Sequence, residues 1–139
     1  MKLTVTVITR NEAAHIAAAL ESVAWADEII VVDSRSTDDT VALARGRATQ
    51  VEVRDWPGYG AQKNHAADLA ANDWILSIDA DERVTPDLAA EIRALLATEP
   101  SARGYRIPRI TNYLGRWITT TDWYPDYQLR LYDRRAGRW

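Results

Sequence analysis

Asp79 and Asp81 stand two residues apart behind the apolar run Trp74-Ile75-Leu76-Ser77-Ile78, and Glu82 follows them. So short an apolar run reads as a strand buried within a parallel sheet. Strand side chains alternate, so this spacing sends Asp79 and Asp81 out of the sheet's end on the same side. In open α/β sheets ligands bind at the carboxyl ends of the strands. Two carboxylates gathered there, with Arg83 as their basic neighbour in sequence, repel one another unless something neutralises them. A hard divalent cation with oxygen ligands is the natural candidate. A solvated acidic turn leading into the next helix is the alternative, and the pattern alone leaves both open.

Three more groups could do chemistry. Thr9-Arg10-Asn11-Glu12 follows a first strand, at the turn where α/β proteins usually hold a phosphate or nucleotide. This turn has no glycine, which disfavours both a dinucleotide fingerprint and a phosphate-binding P-loop. Asp33 closes the run Ile29-Ile30-Val31-Val32. A strand-end carboxylate there either binds a base or ribose, or forms the turn. Lys63 falls in the expected first turn of a helix, where its charge opposes the helix dipole. A bound phosphate would remove that conflict; a solvated surface lysine is the other reading.

These positions need elements to hold them. Leu3 to Ile8 reads as a first strand, rich in β-branched residues. Asn11 is placed to cap a helix carrying Ile16, Leu20 and Val23. The second strand covers 27–33, and Ser36 with Asp39 resembles a capping box for the next helix. Asp38 and Asp39 suit that helix's positive end. A short strand covers 50–53, a Pro-Gly loop follows, and a helix is expected over 61–71. Thr85-Pro86-Asp87 reads as cap, first helical position and favourable charge for a helix to about residue 98. The first hundred residues thus alternate strand and helix, which implies a parallel sheet wrapped by helices. Beyond them, 104–110 and 127–132 read as strands, the second half-exposed, with an aromatic-rich and arginine-rich loop between. Its aromatics suit sugar rings or a minor core.

Composition narrows the function classes. The chain of 139 residues is one domain by length, its net charge is −3, and it contains no cysteine and two histidines, His15 and His65. Disulfides, thiolate zinc sites and a cysteine nucleophile are excluded, and a multi-histidine zinc site is disfavoured. The charge argues against nucleic acid as a partner. The start has no signal-peptide shape and no apolar run reaches the length of a membrane span, so the expected location is cytoplasmic.

Thr9-Arg10-Asn11-Glu12, the stretch 27–38, Gln62-Lys63-Asn64, the stretch 74–82 and Tyr124-Pro125-Asp126-Tyr127-Gln128-Leu129-Arg130-Leu131 occur in one order. Together they resemble the family-2 glycosyltransferases with the GT-A fold, most closely the bacterial branch that includes lipopolysaccharide-core β-glucosyltransferases. The match runs through essentially the whole chain. Ser34-Arg35-Ser36-Thr37 departs from the family's usual Ser-Gly-Ser-Thr, placing arginine where glycine would leave room near the donor. Such enzymes also usually continue well past the last strand here, so the chain is expected to be a C-terminally truncated piece.

The resemblance implies the fold class: α/β, a GT-A-type, Rossmann-like, mostly parallel sheet flanked by helices, with a C-terminal antiparallel or mixed strand region. Within one domain, 1–100 would form the nucleotide-sugar-binding part and 101–139 the start of the acceptor side. The implied activity is inverting transfer of a sugar from a nucleotide-sugar, UDP-linked by resemblance, to a saccharide or lipid-linked acceptor of the cell envelope. It places Asp81, with Asp79, on Mg²⁺ or Mn²⁺, and Asp79 also toward ribose. It carries Thr9, Arg10, Glu12, Asp33 and Lys63 over as donor-binding positions, with Asp33 toward the base. Asp126 matches the general base, and Arg130 would orient Asp126 or meet a phosphate. Peripheral association with the inner face of the membrane is implied by lipid-linked acceptors. A non-catalytic nucleotide-sugar-binding module is the alternative. A phosphotransfer enzyme with an aspartyl nucleophile fits less well, because the nearby threonine such enzymes use is missing. A nucleotidyltransferase would normally show a glycine-rich first turn.

Overall fold

The structure is a computed structural model that describes residues 1–110, 113–114, 118–119 and 127–139. Its elements are β1 (Leu3–Thr9), α1 (Ile16–Glu21), β2 (Glu28–Asp33), α2 (Thr40–Arg45), β3 (Gln50–Val53), α3 (Tyr59–Leu69), β4 (Trp74–Asp79), β5 (Arg83–Val84), α4 (Pro86–Leu96), β6 (Gly104–Ile110), β7 (Tyr113–Leu114), β8 (Ile118–Thr119) and β9 (Tyr127–Asp133). Among the described residues the sheet runs β3-β2-β1-β4-β9-β6-β7-β5, with β8 paired to β6. The strands β3, β2, β1 and β4 are parallel, and β9 and β6 join them antiparallel. The expected mostly parallel sheet with an antiparallel C-terminal region is therefore what forms.

Alternation of side chains gives each face its own layer. Val5 and Val7 of β1, Ile29 and Val31 of β2, and Leu76 and Ile78 of β4 pack with Ile16 and Leu20 of α1 and Leu88 and Ile92 of α4 in the main core. On the other face, Ile30 and Val32 pack against Ala66 of α3, and Ile75 packs with Ala67 and Tyr132. This second face also carries polar groups. Thr6, Ser77, Arg130 and Gln62 of α3 are buried. Arg134 donates to the carbonyls of Ala67 and Ala70 at 2.6 and 2.8 Å, satisfying the C-terminal end of α3.

Four local expectations are corrected. Asn11 does not cap α1, which begins at Ile16 behind His15. Asn11 takes φ 52° instead and bridges to the next loop: its N–H donates to Ser36 Oγ at 2.7 Å, and its Oδ1 accepts from the Thr37 N–H at 2.8 Å. Ser36 is consumed by that bridge and by Asp33, so it does not cap α2. The helix starts behind Asp39, and the Thr40 N–H is served by Asp38 at 3.0 Å. Helix α3 begins at Tyr59, two residues earlier than expected, because Gly58 at φ 109° turns the chain directly into it. The half-exposed alternation expected for strand β9 does not hold among its described side chains: the strand lies between β4 and β6, Arg130 and Tyr132, expected on the exposed side, are buried with Leu131 and Asp133, and Leu129 is exposed. The cap at Thr85, whose Oγ1 accepts from the Leu88 N–H at 3.2 Å, forms as expected.

Candidate functional site

The carboxyl ends of β1, β2 and β4 open into one cleft of about 390 Å³. Two βα loops make its floor, and hydrogen bonds between them fix it. The Ser34 N–H donates to the Thr9 carbonyl at 2.9 Å. The Glu12 N–H donates to Thr40 Oγ1 at 2.9 Å. Asp33 is fully buried, and its two carboxylate oxygens accept from the Ser36 N–H at 2.7 Å and Ser36 Oγ at 2.6 Å. The turn-forming role considered for Asp33 is thus realised, and Asp33 is not among the residues that line the cleft, although its neighbour Ser34 is.

Thr9, Arg10 and Glu12 line one side of the cleft, and Asp79 and Asp81 line the other. Five of the positions chosen from sequence are thereby brought together. Strand β4 ends at Asp79, and the chain turns at once, the Glu82 N–H donating to the Asp79 carbonyl at 3.0 Å. Asp81 therefore reaches the cleft through a turn, not by strand alternation. Burial raises the Glu12 carboxyl above the usual carboxylate range, and the nearby negative charges of Asp81, Asp38 and Asp79 push it further the same way. Thr9 Oγ1 is buried without a hydrogen-bond partner.

These observations fit a divalent cation of a particular kind. Among the described residues no group of three or more His, Cys, Asp or Glu side chains could hold a metal by itself. Asp79 and Asp81 supply two carboxylates, which suits an ion that takes one or two from the protein and completes its shell with substrate phosphate and water. The negative charges of Asp81 and Asp79 that help raise Glu12 are ones such a cation would offset.

Lys63 is the fifth residue of α3, not in its first turn, so the helix-dipole argument lapses. It is half-buried, and burial lowers its ammonium below the ordinary lysine range while the charge of Asp79 opposes that shift. Its Nζ lies 4.2 Å from the centre of the Trp139 ring. Asp126, chosen as general base, lies outside the described residues.

Sequence reasoning missed two groups. Glu82 and Arg130 form a buried pair beneath the Asp79 turn, with Arg130 Nη1 2.9 Å from Glu82 Oε1 and Nη2 2.9 Å from Oε2. Glu82 Oε1 also accepts the Asp79 N–H at 2.7 Å, and Arg130 Nη2 stands 3.7 Å from Asp79 Oδ2. The expectation for Arg130 was Asp126 or a phosphate; among the described residues its partners are these acids and the Ser77 carbonyl, 3.4 Å from Nη1. The second group, Trp56 of the β3–α3 loop and Tyr59 at the start of α3, lines the cleft. Two aromatics around a Pro-Gly turn were its signal in the sequence. Arg35 is not among the lining residues; it takes φ 55° and pairs with Asp55.

With this geometry in place, comparison with known proteins decides the family. Residues 4–138 match Glycosyl transferase family 2. The chain belongs to that family. An uncharacterized glycosyltransferase of Rickettsia felis is 50% identical over 103 residues, covering 73% of this chain and 36% of the relative. The lipopolysaccharide core biosynthesis glycosyltransferase LpsC of Rhizobium meliloti is 33% identical over 144 residues, covering 100% of this chain and 53% of that protein. Glucosyl-3-phosphoglycerate synthase from Mycobacterium tuberculosis, in complex with Mn²⁺, UDP and glucosyl-3-phosphoglycerate, superposes with a TM-score of 0.62 at 25% identity, over 74% of this chain and 42% of that one. The chain thus spans about half the length, or less, of the relatives it matches.

Proposed function

We propose that this chain is the donor-binding part of an inverting glycosyltransferase that moves a sugar from a UDP-sugar to a hydroxyl of a cell-envelope glycan or glycolipid. The observation that carries the reading is the convergence of Thr9, Arg10, Glu12, Asp79 and Asp81 on one cleft at the strand ends. LpsC, a relative over the whole chain, is named for lipopolysaccharide core biosynthesis, which supports an envelope acceptor. In this reading residues 1–100 bind the donor and 101–139 begin the acceptor side.

Asp81, with Asp79, would hold Mg²⁺ or Mn²⁺, which as a Lewis acid stabilises the departing diphosphate. The synthase crystallised with Mn²⁺ and UDP supports that choice of ion and nucleotide. Thr9 offers its unpartnered hydroxyl to the donor, and Arg10 a positive charge at the cleft wall. Lys63 supplies charge toward the phosphates, and Asp79 turns toward ribose. Asp33 keeps the loop nearest the base in place and faces the base from behind it. In the transfer, the bond from the anomeric carbon to the diphosphate oxygen breaks, with its electron pair leaving on that oxygen. The acceptor oxygen bonds to the anomeric carbon from the opposite side, and its proton passes to Asp126 as general base. No helix among the described residues is long and apolar enough to cross a membrane; a lipid-linked acceptor would bring the chain to the inner membrane face.

A second reading is favoured by the chain's span of about half its relatives: a nucleotide-sugar-binding module that does not catalyse transfer. Calorimetry of UDP with Mn²⁺, with EDTA, and with Asp81→Ala tests what both readings share. Binding that needs the metal and is lost in Asp81→Ala supports the donor site. Equal binding in EDTA, or in the variant, refutes the metal assignment.

A further inference from the structure

Lys63 is half-buried, and among the described residues it forms no ion pair. An aromatic ring meets it instead, the Trp139 ring whose centre lies 4.2 Å from Nζ. The negative face of an indole attracts an ammonium without supplying a hydrogen-bond acceptor. An ammonium carries three N–H donors, and those directed away from the ring remain available to a ligand.

Trp139 is itself held from several sides. Its N–H donates to Asn64 Oδ1 and its carbonyl accepts from Asn64 Nδ2, both at 2.8 Å. Its indole N–H donates to the Tyr132 hydroxyl at 3.1 Å, and the two rings meet edge to face with centres 5.9 Å apart. Beside it, Arg138 donates to both carboxylate oxygens of Asp68, at 2.8 and 3.1 Å. Asn64 and Asp68 are one helical turn apart. Gly60, a turn earlier, is where an added Cβ would lie 3.8 Å from Trp139. One face of α3 therefore receives the segment that follows β9.

The helix also sets the direction of Lys63. Tyr59 and Lys63 are one turn apart on a shared face, and helical side chains lean toward the N-terminus. Tyr59 lines the cleft, and Gln62, next to Lys63, donates to Ser34 Oγ of the cleft wall at 3.2 Å. Lys63 thus leans toward the cleft, and Asp79 is the acid whose charge acts on it most strongly.

We propose that Trp139 is a positioning residue for Lys63: its ring, clamped to α3 by Asn64, holds the ammonium toward the phosphates of the donor. This rests on the donor-site reading above. A lysine already placed loses less side-chain freedom when it meets a phosphate, so the ring raises affinity without touching the ligand.

Calorimetry in Mn²⁺ with UDP and with inorganic diphosphate tests this on Trp139→Leu, which keeps apolar bulk without a π face, and on Trp139→Phe, which keeps a ring. Trp139→Leu should bind both probes roughly twofold to tenfold more weakly, the range for releasing one long side chain. Trp139→Phe should stay near the parent. In a Lys63→Met background, Trp139→Leu should cause no further loss. Unchanged affinity in Trp139→Leu overturns the proposal. So does an equal loss in the Lys63→Met background, which would mean that the segment acts through the helix and not through Lys63. NMR of the parent reads the anchor without any variant: ring current should displace the Lys63 ε-methylene resonances upfield, and ordinary positions would overturn the proposal. Absence of UDP binding by a parent that shows this displacement refutes the donor site instead, and the binding role of Trp139 with it.

Discussion

Arg130 and Glu82 meet through two 2.9 Å contacts, and their side chains are 1% and 0% exposed. The pair joins β9 to the turn after β4, and Glu82 also takes the Asp79 N–H. Breaking such a pair from one side leaves a buried charge alone, which costs about 3–5 kcal/mol. Arg130→Met and Glu82→Gln should each lower stability in urea unfolding, Arg130→Met by about that amount. The double replacement Glu82→Gln with Arg130→Met should cost clearly less than the two single losses added, since neither charge is stranded. Additive losses would mean that the two side chains act independently. In Glu82→Gln, metal-dependent UDP binding should weaken as well, because the Asp79 turn loses a charged anchor.

The pair also shows what the sequence could and could not convey. Strands β2 and β4 were legible from their apolar runs and β1 from its β-branched Thr, Val and Ile residues, because both faces of a parallel sheet are covered. The Asp79–Asp81 cleft was legible because strand-end carboxylates fall where such sheets bind ligands. The partner of Glu82 was not, because it depends on β9 crossing back to lie against β4, a contact 48 residues distant. A strand's place in the sheet is set by packing, not by its own alternation, so Arg130 and Tyr132 read as exposed yet are buried. Asn11 and Ser36 misled for a related reason: residues that cap helices are equally good at bridging loops.

Arg35 occupies the position where the family usually has glycine, and its φ of 55° explains that usage. A left-handed non-glycine residue costs roughly 1–2 kcal/mol. Its pair with Asp55 is exposed, at 64% and 85%, and so contributes about 0–1 kcal/mol. Arg35→Gly should therefore be neutral or stabilising by up to about 1 kcal/mol, after the glycine's own entropy cost of roughly 0.5–1 kcal/mol. Arg35→Ala keeps the strain and loses the pair, so it should be the least stable of the three. Thermal unfolding gives the order directly, and a melting temperature for Arg35→Gly below that of Arg35→Ala would contradict it.

Asp133 closes β9 in a ring of arginine donors: Arg135 Nη2 at 2.8 Å, the Arg135 N–H at 3.0 Å and Arg103 Nη1 at 2.9 Å. The hydrogen bond from Arg135, first among these causes, holds the carboxyl below the usual aspartate range. A carboxyl that is more acidic folded than unfolded stabilises the fold wherever it is ionised. That contribution is complete above the unfolded value of about 3.9 and disappears as pH falls through the folded value. Stability should thus decline below about pH 4, and Asp133→Asn should flatten that decline while lowering stability at neutral pH. A variant with the parent's acid limb would show that other carboxyls govern it.

Asp126 carries the chemical step in the proposed transfer, and its test needs the full-length protein, since the chain spans about half of its relatives. A general base contributes about 10²–10⁴-fold to rate. Asp126→Asn should lower kcat by that factor and leave the UDP affinity measured by calorimetry unchanged, because the base acts on the acceptor hydroxyl and not on the donor. Asp81→Ala should show the opposite split, losing donor affinity first. Normal turnover by Asp126→Asn would transfer the role of base to another residue. Loss of donor affinity together with rate would make Asp126 part of the donor site instead.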